Sequence, residues 1–183
     1  MIATVSSPTM CSCFFYEDAP KEKIELDPFP MKRQPSIAEI DREIDNAKKV
    51  SWENHRYMEL KNITQYERDL VARCIYHEAR GEIEEGQIAV CEVIFNRVLS
   101  ELYPNTVEDV LFQYNGKFYQ FSCAPYLLSE PIREPESLAR AMKVQAYVLS
   151  TEYTTLLPSD YLYFSTGKPD CEDYMQIGNH YFW

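Results

Sequence analysis

Positive charge is scarce in this chain. Lys and Arg together number 18 among 183 residues, against 29 Asp and Glu, for a net charge of −11. Such a surface has no basic field to attract phosphates, which excludes a nucleic-acid partner. Long apolar runs are missing too, and no stretch is long enough to span a bilayer. The first residues lack a basic segment followed by an apolar one, so no secretory leader is expected. The six cysteines (11, 13, 74, 91, 123 and 171) show no paired metal spacing. Cys74 and Cys91 fall in helical patterns and read as small buried apolar residues. Cys11-x-Cys13 is a close pair compatible with zinc or a disulfide, and its spacing decides neither. The thiols are expected to be reduced, as in a chain made in a cytoplasm. No cofactor or metal is expected, and there is no internal repeat.

What the chain does have is core-forming residues. Apolar residues make up 45%, and 14 Tyr and 9 Phe stand among them. Such rings suit a sugar-binding cleft, although any single Tyr more readily packs or caps. The length fits one domain with an appendage, or two small domains.

Residues 1–35 are punctuated by Pro8, Pro20, Pro28, Pro30 and Pro35 and show no apolar period. A helix is predicted over 36–50, with Ser36 and Glu39 as its cap and a thin stripe of Ile37, Ile40, Ile44 and Ala47. These elements make 1–65 an extended arm with one helix, suited to anchoring or assembly. From Thr64 the pattern changes. Thr64 and Glu67 form a capping box, Leu70, Val71, Cys74 and Ile75 an inner face, and Gly81 a stop. A core helix is predicted from 84 to 102 on Ile88, Cys91, Ile94, Phe95, Val98, Leu99 and Leu102, closed by Pro104. A short helical turn follows at 106–111. Asn115-Gly116 between aromatic flanks predicts a hairpin that places Gln120 and Ser122 on one strand face and Phe121 on the other, in the core. A helix over 135–150, with Leu138, Met142, Val148 and Leu149 inward, leads to strands at 161–165 and 176–183. The fold class is α+β: helices with a small antiparallel sheet.

The most informative stretch is Tyr76-His77-Glu78-Ala79-Arg80-Gly81-Glu82. It puts Glu78 in the last turn of a helix, where the partial negative charge of the helix end and burial beside Tyr76 oppose ionisation. A carboxyl that keeps its proton near neutral pH is what a general acid for glycosidic cleavage requires. Glu82 is either a second carboxylate, as base or as like charge, or an exposed loop residue. Arg80 either orients a carboxylate or pairs locally. His77 reads as a packed or surface histidine, since neighbouring helical residues point different ways.

Three segments in order resemble the SleB-type cell wall hydrolases, the family of spore-cortex-lytic enzymes and related phage proteins. They are the run at 76–82 with Glu85-Gly86-Gln87-Ile88-Ala89-Val90 and Asn96-Arg97-Val98, then Gln120-Phe121-Ser122, then Ile177-Gly178-Asn179-His180-Tyr181-Phe182. The resemblance covers roughly 66–183 and implies a lysozyme-like helical catalytic domain that cuts peptidoglycan glycan strands as a lytic transglycosylase. It implies Glu78 as the catalytic acid. Glu82, Arg80, Gln120, Ser122, Tyr163, Asn179 and His180 are the expected supporting or sugar-binding residues. Tyr163 stands where many members carry a histidine, a departure that bears on sugar contacts rather than on the acid.

Because an acidic chain does not find an anionic wall by charge, delivery by a phage particle or release as its lysin is expected. Residues 1–65 would contact a virion or tail protein, and the location would be the virion or the host cytoplasm before release. Two alternatives remain open. One is an N-acetylmuramoyl-L-alanine amidase, zinc-dependent through His77, Glu82 and His180. The other is a virion protein that keeps the fold without activity.

Overall fold

The protein is represented by a computed structural model that describes residues 36–183. The expected irregular segment at 1–35, with Cys11 and Cys13, lies outside the described residues. Among the described residues, five helices and three short strands follow one another in the order α1 (Ile37–His55), α2 (Gln65–Ala79), α3 (Glu84–Leu99), α4 (Val107–Leu111), α5 (Pro135–Val148), β1 (Phe164–Ser165), β2 (Met175–Ile177) and β3 (His180–Phe182). A 3₁₀ turn at Arg56–Leu60 and another at Ala124–Tyr126 complete the set. The architecture is the α+β expected from the sequence pattern.

α3 is the axis of the body. Every residue from Gly86 to Val98 is buried, including Gln87, Glu92, Asn96 and Arg97. Such a helix cannot be sheathed in solvent on any side, so α2, α4 and α5 pack around it. Its buried polar groups must find partners, because an unpaired one costs about 1–3 kcal/mol. Glu92 accepts hydrogen bonds from the Leu156 and Leu157 amides and the Tyr153 hydroxyl. Asn96 donates to the carbonyls of Pro158 and Tyr161 and accepts from the Tyr57 hydroxyl and Arg56 Nε. Arg97 Nε donates to the Leu162 carbonyl at 2.7 Å. Together they sew the strandless segment 153–162 onto α3 and bring it to the sheet.

The end of the expected arm belongs to this packing. α1 has no buried residue, but Arg56 and Tyr57 just after it are 2% and 1% exposed. Arg56 also donates to the Leu157 carbonyl, so residues 56–60 are core rather than a separate anchoring piece.

Several expectations shift in detail. α3 ends at Leu99, where Ser100 turns back on Arg97, so Leu102 is 80% exposed instead of inward. Met142 on α5 is likewise exposed. α2 starts with the expected capping box, Thr64 Oγ accepting from the Glu67 amide and Glu67 accepting from the Thr64 amide. It ends at Ala79, and Gly81 keeps an ordinary negative φ; positive φ among the described glycines occurs at Gly116 and Gly178. The hairpin at Asn115-Gly116 is reduced to one bridge, Tyr114 with Tyr119. The Asn115 side chain accepts from the Lys117 and Phe118 amides instead, which turns the chain without extending a ladder. Gln120 and Ser122 are therefore not on a strand, although Phe121 is core as expected.

The expected strand 176–183 breaks into β2 and β3 at Gly178-Asn179, Gly178 taking φ +59°. The sheet is antiparallel in the order β1-β3-β2, with Phe164 opposite Phe182 and Ile177 opposite His180. Phe182 is fully buried and joins this sheet to the helical core.

Candidate active site

The carboxyl of Glu78 emerges one residue before the end of α2 and is half-buried. Its Oε1 accepts from the Ser122 hydroxyl at 2.9 Å and the Cys123 amide at 3.1 Å. Both donors come from the turn after Phe121, whose buried ring fixes where that turn sits. Among the described residues no donor reaches Oε2. A protonated Glu78 therefore carries its proton on Oε2, since Oε1 already faces two donors. Tyr126 flanks the same spot, and its pKa is raised, by burial first and then by nearby Cys123, Glu78 and Glu130, against a lowering effect of Ser122.

Glu82 lies beyond the helix in the turn to α3 and forms a second cluster. Asn179 donates to it twice, from its amide to Oε2 at 2.9 Å and from its side chain to Oε1 at 3.1 Å. His180 Nδ1 stands 3.8 Å from Oε1. Burial alone would raise the Glu82 pKa, but the two Asn179 bonds and the nearby His180 outweigh it and hold the carboxyl below its ordinary value. Gly178 makes the grip possible. A Cβ there would collide with Glu82 Oε2, and its positive φ disfavours any other residue. An open cavity of about 390 Å³ adjoins Glu82, lined also by Gln87, Arg140, Lys143 and Tyr147. It does not include Glu78.

The remaining sequence candidates separate. Arg80 points to Glu134, 3.4 Å away, with its guanidinium over the Tyr76 ring. It takes the local pairing rather than a place against either carboxylate of the site. His77 has its Nδ1 toward Glu130 and its ring edge-on to Tyr76 and Tyr126. Burial lowers its pKa against the pull of Glu130, so it is packed, as expected. His180 is buried against Phe164 and Phe182. His77, Glu82 and His180 do not converge, and no group of three His, Cys, Asp or Glu among the described residues could hold a metal ion. Gln120 bonds Gln113 through its backbone amide. Tyr163 is exposed, stacks on Trp183 and lies over Arg97. Tyr161, two residues earlier, is buried in the core.

Sequence reasoning missed three contributors. The Cys123 amide carries no sequence signal, because every residue but proline has one. Gly178 was read only as part of the closing motif, inside an expected strand, and not as the turn under Glu82. Arg97, read only as part of a motif, places its guanidinium 4.8 Å from the Phe121 ring centre and 5.7 Å from that of Tyr163, and so supports the turn that serves Glu78.

Comparison with known proteins gives a consistent set. A family model described as Cell Wall Hydrolase matches residues 81–183. It begins three residues after Glu78 and takes in Glu82, the 122–123 turn and the Gly178-Asn179 hairpin. The spore cortex-lytic enzyme of Oceanobacillus iheyensis is 50% identical over 50 residues, 27% of this chain and 18% of that protein. That of Bacillus subtilis is 52% identical over 44 residues, 24% of this chain and 14% of that protein. The chain thus spans less than a fifth of the length of these curated relatives. The catalytic domain of the germination-specific lytic transglycosylase SleB from Bacillus anthracis aligns over 66% of this chain and 96% of its own length, at 26% identity and a TM-score of 0.49.

Proposed function

The chain belongs to the cell wall hydrolase family, and from that premise we propose that it cleaves peptidoglycan glycan strands between N-acetylmuramic acid and N-acetylglucosamine as a lytic transglycosylase. The observation that carries this reading is the asymmetry of Glu78: one oxygen is held by two donors, and the other accepts none among the described residues. A carboxyl held that way has its orientation fixed without losing its reactive oxygen.

Glu78 gives its Oε2 proton to the glycosidic oxygen as the bond from the muramyl anomeric carbon breaks. The resulting carboxylate takes the proton of the same sugar's C6 hydroxyl, whose oxygen closes on the anomeric carbon. Glu78 ends protonated again, no water is consumed, and the product carries a 1,6-anhydro end. Glycosidases that use water work with two carboxyl groups. Glu82 is the second carboxylate of the sequence motif, and both of its oxygens are engaged by Asn179, which favours the single-carboxyl route. In this reading Ser122 and the Cys123 amide position the acid. Glu82, Asn179 and His180 hold the hairpin, and exposed Tyr163 and half-buried Gln120 offer contacts to sugar.

Delivery is the second half of the proposal. A net charge of −11 does not draw the chain to an anionic wall, and α1 presents Ile37, Ile40 and Ile44 to solvent. Carriage by a phage particle, with the segment ahead of the buried Arg56 against a tail or baseplate protein, answers both points. Deleting residues 1–50, which leaves the buried Arg56 and Tyr57 in place, is expected to abolish incorporation into particles, and full incorporation of the truncated chain would contradict it.

Digestion of purified peptidoglycan followed by mass analysis tests the chemistry. Anhydromuramyl ends are expected. Reducing ends would mean a water-using hydrolase, and freed peptide stems would mean an amidase.

A further inference from the structure

Behind Glu78 lies a pair of thiols that the proposed chemistry does not use. Cys74 sits one turn earlier on α2, and Cys123 follows Ser122 in the turn that holds the carboxyl. Both are buried and free, and their sulfurs are 3.8 Å apart. The pair spans the same two elements that Glu78 and its donors span. A disulfide needs sulfurs about 2.0 Å apart, so a rotation of the two side chains and a small shift of the turn close the gap. The shift falls on Ser122 and Cys123, the short link between the buried Phe121 and the 3₁₀ turn at Ala124–Tyr126.

We propose that Cys74 and Cys123 are a site of reversible disulfide formation that ties the Ser122–Cys123 turn covalently to the helix carrying Glu78. The oxidant is an external disulfide. The Cys123 thiolate attacks one of its sulfurs and releases the first external thiol. The Cys74 thiolate then attacks the Cys123 sulfur and releases the second. Two protein thiols are oxidised, one external disulfide is reduced to two thiols, and these take up both protons. Burial pushes the Cys74 thiol well above its ordinary pKa, so little thiolate exists while the turn is closed. The exchange therefore runs through brief openings of the turn and is slow.

Its setting rests on the peptidoglycan reading, because that polymer lies outside the reducing cytoplasm, where disulfides persist. The cross-link itself does not depend on that reading, and its test needs no activity measurement.

The reduced full chain is incubated with oxidised glutathione, alkylated, digested and mapped by mass. The expected result is a linked peptide pair containing Cys74 and Cys123 that disappears on reduction. A rise in the thermal midpoint should accompany it in the wild type and be absent in Cys74→Ala. Cys171→Ser, which removes the exposed thiol, should keep the linkage. Alkylation of both cysteines after prolonged oxidation would overturn the proposal. So would linkage of either one only to glutathione or to another cysteine.

Discussion

Replacing Gly178 by Ala tests the grip on Glu82 with a single methyl group. The left-handed conformation costs a residue with a Cβ about 1 kcal/mol. The new Cβ also falls on Glu82 Oε2, the oxygen that accepts the Asn179 amide, so the carboxylate must move. Hydrogen bonds to a charged group contribute about 1.5–3 kcal/mol each, and partial exposure at this hairpin argues for losing about 2 kcal/mol in all. The expected cost of Gly178→Ala is therefore about 3 kcal/mol in urea unfolding. In a Glu82→Ala background the colliding oxygen is gone and only the backbone cost of about 1 kcal/mol remains. The cycle of four chains should thus show a coupling of about 2 kcal/mol between positions 178 and 82. Equal costs in both backgrounds would refute the argument, because the glycine would then be needed for its conformation alone.

Other expectations follow from the same geometry. Ser122→Ala removes one of the two bonds to Glu78 Oε1 and should slow turbidity loss of peptidoglycan by roughly ten- to a hundredfold with little change in stability; an unchanged rate would remove Ser122 from the site. Asn96→Ala strips partners from buried Tyr57, Arg56 and two carbonyls and should cost at least about 3 kcal/mol, so a urea-unfolding loss under about 1 kcal/mol would contradict its role in holding the 153–162 segment. The folded Glu82 pKa lies below its unfolded value, so the contribution of its ionised form is complete above the ordinary carboxylate range and is lost as pH falls through that range toward the folded value. The stability difference between wild type and Glu82→Gln should therefore shrink on acidification, and a difference that is constant or grows would be inconsistent with the grip.

Periodicity made the helices legible because their burial is one-sided or complete: the capping box at Thr64 and the apolar spacing of α3 both appear in the structure. Helix ends were less legible. Leu102 continues the apolar spacing, but Ser100 has already folded back on Arg97. Sheet elements were hardest, because Asn115 caps its own turn and leaves one bridge where alternation predicts a ladder. At the site, Glu78 and Ser122 were legible from motifs and do meet. The partnership of Glu82 with Asn179 joins residues 97 positions apart, and no local pattern encodes it. The structure also divides what the sequence left together. Arg80 belongs to Glu134, and His77 belongs to Tyr76, Tyr126 and Glu130.

The account turns on Glu78 moving one proton out and one proton back. The most direct measurement compares wild type and Glu78→Gln on purified peptidoglycan, with the fold of each checked by its unfolding transition. Wild type should yield anhydromuramyl ends, and the variant should be slower by on the order of a thousandfold or more, since an amide can neither give nor take the proton. A folded Glu78→Gln chain that still releases those ends at near wild-type rate would contradict it.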